Sequence, residues 1–87
     1  MEQTRQQIYD FVATIAQQKG VPSIGAGEDL TVSGIVDSLA IFRLVSFLEE
    51  TFAVRIADDE IVNENFASVD AIEKLVNGKL ERRSAAR

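Results

Sequence analysis

Ser38 stands in the run Gly34-Ile35-Val36-Asp37-Ser38-Leu39, near the middle of a chain of 87 residues. A serine hydroxyl is a weak nucleophile at neutral pH unless a base takes its proton, and histidine is the commonest such base. The chain contains no histidine and no cysteine. This rules out Ser–His and Cys–His pairs, thiolate metal sites and disulfides. Lys19, Lys74 and Lys79 fall where helix surfaces usually place solvated amines. Gly25-Ala26-Gly27 is too short to be the phosphate cradle of a G-x-x-x-x-G-K-[ST] loop. Asp58-Asp59-Glu60 lacks the ligand spacing and the closing bidentate glutamate of a calcium loop. Catalysis by this chain alone is not expected. What the motif leaves is a hydroxyl on which another enzyme could act.

The residues around Ser38 define the element that must present it. Asp37 suits a helix N-cap, because its carboxylate can accept hydrogen bonds from the free N–H groups of the first turn. Ile41, Leu44, Val45, Leu48 and Phe52 then repeat at the spacing of a core-facing helix, with Ser38 on its first turn. Leu39, Arg43, Ser46 and Glu50 share another face, which can meet a partner. With Ala40, Phe42 and Phe47 the helix is apolar over more than half its surface, as the central helix of a small bundle would be. Phe42, Phe47, Ile61 and Phe66 either wall a pocket between helices or are plain core.

The flanking segments supply that bundle. Thr4-Arg5-Gln6-Gln7 fits a capping box, and Ile8, Phe11, Val12 and Ile15 follow at helical spacing, so a first helix is expected over about Thr4–Gln18. Gly20 and Pro22 end it. The connection from Val21 to Val36 is long for so small a domain. Ile24, Leu30, Val32 and Ile35 can anchor it across the bundle, Asp29-Leu30 can open a turn, and Gly34 allows a conformation or close approach that a side chain would block. Val54 and Ile56 are expected to be buried from an extended segment. Asp58 to Val62 reads as a short third helix with acids at its positive end. Phe66 enters the core, and Ser68 caps a last helix in which Val69, Ile72, Leu75 and Val76 share a face and Gly78 lies near the end. The fold class is all-α: three main helices plus one short helix, with a long first loop. Residues 1–80 make one domain, and Glu81 to Arg87 (ERRSAAR) has no apolar stripe and is expected to fray as a solvated tail or a weak partner contact.

Composition is that of an ordinary soluble domain, 46% hydrophobic and 26% charged, with a net charge of −5. Residues Glu28 to Asp70 carry ten acids against Arg43 and Arg55, a balance of −8. Such a surface repels nucleic acid and anionic membranes and attracts proteins with basic patches. The first residues carry no apolar run and no stretch approaches membrane-spanning length, so a cytoplasmic monomer is expected.

The motif resembles the acyl and peptidyl carrier protein family. Beyond Gly34 to Leu39 the likeness runs through Asp29-Leu30, Leu48-Glu49-Glu50-x-Phe52, Val54-Arg55-Ile56, Asn65-Phe66 and Ser68-Val69-x-Ala71-Ile72, covering roughly Ile8 to Leu80. The resemblance implies a 4′-phosphopantetheine arm on Ser38, transferred from coenzyme A by a phosphopantetheinyl transferase and carrying an acyl or aminoacyl group as a thioester. It implies further partners: an activating ligase and downstream acyl-transfer enzymes. It also makes the central helix the docking surface, for which Asp37, Leu39, Arg43, Ser46, Glu49 and Glu50 are the candidates. The chain departs from the fatty-acid carriers, which commonly have an acid two residues after the serine and another three residues further. Ala40 and Arg43 stand there. Ser46 replaces a common methionine, and Ile35 and Val36 separate Gly34 from Asp37 where one residue is usual. A reversed charge on a docking face excludes partners as well as selecting them. These differences point to a dedicated free-standing carrier with a specialised acyl or aminoacyl cargo. The alternative is an unmodified acidic module that binds a basic partner as an adaptor or inhibitor.

Overall fold

The computed structural model of the chain describes residues 2–21, 23–25, 27–31 and 34–85. Pro22 and Val32, expected to end the first helix and to anchor the loop, lie outside the described residues. Three helices make the bundle: α1 (Glu2–Gln18), α2 (Ser38–Phe52) and α3 (Val69–Ala85). Among the described residues there is no strand, and no helix is long and apolar enough to cross a membrane.

α1 forms because Ile8, Val12, Ile15 and Ala16 fall on one face, and all four are buried. Thr4 belongs to that face too and is buried inside the helix, which begins at Glu2. The capping box expected at Thr4 is therefore absent; one turn before Ile8, Thr4 is drawn into the interface. The other end matches expectation. Gly20 is left-handed (φ +83°), its N–H donates to the Gln17 carbonyl (3.1 Å), and the Val21 N–H donates to the Ala16 carbonyl (2.8 Å). Those two bonds are a Schellman cap.

α2 buries Ala40, Leu44 and Leu48, with Ile41, Val45 and Phe52 half-buried beside them. Full burial of Leu44 and Leu48 is worth about 1.5–3 kcal/mol each. Phe66 is fully buried, and Phe47 and Ile61 pack half-buried against the core. Phe42 does neither of the things expected of it. It is 66% exposed, because α2 is apolar around more of its circumference than its neighbours can cover.

The long connection lies across the bundle as expected, pinned by buried Ile24, Leu30, Ile35 and Val36. The Leu30 N–H donates to the Ala67 carbonyl at 2.7 Å and the Tyr9 hydroxyl to the Ile24 carbonyl at 2.8 Å. After α2, Ile56 is buried and Val54 half-buried. The short helix expected over Asp58–Val62 takes the form of two 3-10 turns, Asp58–Glu60 and Asn63–Phe66. The Asn65 side chain donates to the Glu60 carbonyl (2.8 Å) and links them.

Ser68 caps α3, its Oγ accepting the Ala71 N–H at 3.1 Å. Val69, Ile72 and Val76 are fully buried and Leu75 partly so. The helix runs through Gly78 and past Leu80 to Ala85, so neither the ending near Gly78 nor fraying from Glu81 is found. Once a helix is anchored, each added residue gains a hydrogen bond without a new nucleation cost. Arg5 of α1 reaches Asp70 (2.5 Å) and Glu73 (3.1 Å) of α3.

Candidate functional site

Ser38 is exposed at the first position of α2. Its placement is built from the chain just upstream. Ile35 and Val36 are buried and hold the loop down, and the Val36 N–H donates to the Leu30 carbonyl at 3.1 Å. Gly34 adopts φ +79°, and a Cβ there would meet nothing within 4 Å. Its glycine is therefore required by conformation and not by close approach. Asp37 is extended (φ −115°, ψ −174°), and its Oδ1 accepts the Ala40 N–H at 2.8 Å, the N-cap the sequence indicated.

Asp37 has a second partner. The Lys19 ammonium, at the end of α1, donates to Asp37 Oδ2 and to the Gly34 carbonyl (3.1 Å). The Lys19 hydrogen bond, followed by that from Ala40, holds the Asp37 carboxyl below the usual carboxylate range. Lys19 is thus not the solvated amine it was expected to be. Neither is Lys79, whose shielded ammonium donates to Glu60 at 2.5 Å.

Ser38, Leu39, Phe42, Arg43, Ser46, Glu49 and Glu50 all fall within an arc of about 140° on α2, taking ~100° per residue. The opposite arc carries Ala40, Leu44 and Leu48, all buried. The docking candidates therefore share one face with the serine, but they differ in what they leave open. Leu39 is 71% exposed, and Ser46 and Glu50 are exposed. Arg43 is exposed yet tied to α1: its guanidinium donates to Gln18 Oε1 (3.0 Å) and sits 6.0 Å from the Phe11 ring centroid. Glu49 is half-buried, and its Oε2 accepts the Ile56 N–H at 2.9 Å, fastening the segment after α2 to the helix. Phe11, Phe42, Arg43, Ser46, Phe47 and Glu50 line a shallow surface groove between α1 and α2. This groove is not the interior pocket for which Phe42, Phe47, Ile61 and Phe66 were considered.

Sequence reasoning missed Lys19. No periodicity links a residue at the end of one helix to the cap of the next across a sixteen-residue connection from Val21 to Val36. Its position just before the terminating Gly20 was the only local cue. Comparison with family models, with curated proteins and with solved structures gave no match.

Proposed function

We propose that this protein is a carrier that holds an acyl or aminoacyl group as a thioester on a 4′-phosphopantetheine arm attached to Ser38. The observation that carries the reading is an exposed serine hydroxyl on the first turn of the central helix, within the carrier-like motif from Gly34 to Leu39. The amide end of a helix favours an anion by about 0.3–1 kcal/mol, so a phosphodiester on Ser38 is compatible with its surroundings. The arm, when present, supplies the thiol that bears the cargo; the chain itself supplies the anchor, the docking face and the orientation.

Attachment is a phosphoryl transfer at Ser38. The Oγ–P bond forms as the pyrophosphate bond of coenzyme A breaks, adenosine bisphosphate leaves, and the hydroxyl proton passes to a base of the phosphopantetheinyl transferase. A tethered group then reaches each docked enzyme at an effective concentration in the millimolar range typical of short flexible linkers. The partners are that transferase, an activating ligase and acyl-transfer enzymes that meet the face bearing Leu39, Phe42, Ser46 and Glu50. Ala40 is buried at 3%, so the position where fatty-acid carriers commonly show an acid has no surface here from which to present one. This supports a specialised cargo and dedicated partners, acting in the cytoplasm.

The test is to incubate the protein with coenzyme A and a broad-specificity phosphopantetheinyl transferase and weigh it. The expected gain is one phosphopantetheine, lost in Ser38→Ala. An unchanged mass would support instead an unmodified module that docks a partner through the exposed Leu39 and Phe42.

A further inference from the structure

From its geometry we infer that Lys19 is a positioning residue for the reaction at Ser38, bracing the residues immediately before the serine from the end of α1. The inference rests on the carrier reading and deepens it. Lys19 is itself fixed, because the Schellman bonds of Gly20 and Val21 set the direction in which α1 ends. From there its ammonium reaches two points of one short segment, the Gly34 carbonyl and the Asp37 carboxylate. The first is a left-handed turn residue, and the second caps the helix that begins at Ser38. Ile35 and Val36 between them are buried, so the segment is held from below by packing and from the side by Lys19.

Fold stability does not account for this arrangement. The Lys19 and Asp37 side chains are 34% and 53% exposed, and ion pairs that open to water contribute little because water and salt screen them. What the pair restricts is local: the rotamer of Asp37, and through its bond to Ala40 the first turn of α2. A nucleophilic oxygen must approach the phosphorus in a narrow range of positions, and small displacements are costly in rate. The Lys19 charge also offsets that of Asp37, which otherwise stands next to the point where an anionic phosphate must arrive.

The experiment compares wild type, Lys19→Met, Lys19→Arg, Asp37→Asn and Lys19→Met/Asp37→Asn in two measurements. The first is the rate of phosphopantetheine transfer, followed by intact mass over a range of carrier concentrations. The second is hydrogen exchange at the Ala40 amide in the unmodified proteins. Lys19→Met is expected to melt within about 5 °C of wild type, to lose about tenfold in kcat with KM little changed, and to exchange faster at Ala40. Lys19→Arg, which keeps charge and reach, should restore both readouts most of the way. The double variant should lose no more than Lys19→Met alone, because both changes break one contact. Wild-type kcat in Lys19→Met, a loss confined to KM, or no rescue by arginine would each overturn the inference. Exchange at Ala40 needs no modification. A wild type that gains no mass would therefore sink the carrier reading, while Ala40 still decided whether Lys19 orders the turn.

Discussion

Phe11 of α1 stacks on Phe47 of α2, with ring centroids 4.2 Å apart and planes 11° from parallel. Phe52 meets Phe47 edge-on at 6.3 Å. This aromatic row closes the seam between the helix that carries Ser38 and the helix that carries Lys19, so the site depends on it for its spacing. Phe11→Leu and Phe47→Leu should each destabilise the fold in urea. A double-mutant cycle should show coupling of about 0.5–1.5 kcal/mol. Additive losses would mean that each ring acts through burial alone.

Ala53 follows α2 in the left-handed region (φ 55°, ψ 44°), the only residue with a side chain to do so among those described. That conformation costs a residue with a Cβ roughly 1–2 kcal/mol, and glycine escapes it. Ala53→Gly should therefore stabilise the protein by about 0.5–1 kcal/mol after glycine's extra unfolded-state entropy is set against the gain. The midpoint of urea denaturation should rise at constant slope; a lower midpoint would contradict the strain argument.

Acid should weaken the fold in a defined way. Lys19 lowers the Asp37 carboxyl, and Lys79, then the Ala57 amide, lowers that of Glu60. A carboxyl that titrates lower in the folded than in the unfolded chain binds fewer protons when folded. Its stabilisation is then complete above the unfolded value and is lost as pH falls through the folded one. The melting temperature should hold at neutral pH and fall through and below the ordinary carboxylate range of about pH 4. In Lys79→Met the decline should be shallower, since Glu60 then titrates closer to its unfolded value. An identical acid slope in that variant would show that the Lys79 contact does not lower Glu60.

Much of the bundle could be read from local pattern. The stripe Ile8, Val12, Ile15 marked α1, the stripe Leu44, Leu48 marked α2, and Val69, Ile72, Val76 marked α3. Gly20, Asp37 and Ser68 marked ends, because capping involves residues within a few positions of each other. The loop anchors Ile24, Leu30 and Ile35 were legible for a similar reason: isolated apolar residues in a long polar connection have nowhere else to go. Thr4 misled because a capping pattern and a buried position in a helix share a residue type. Phe42 misled because hydrophobicity states a preference for burial without stating whether a neighbour is there to provide it.

Sequence alone therefore determined the three helices, their caps, the faces they bury and the motif that puts a serine at the start of the middle helix. These are properties of spacing along one strand of backbone, and short-range sterics and hydrogen bonding decide them. Only the tertiary structure decided which charges are engaged. Lys19 reaches Asp37, Arg43 lies over Phe11, Glu49 holds the Ile56 amide and Lys79 meets Glu60. Long charged side chains take partners from whatever the packed helices bring within reach, and that distance is set by the whole core at once.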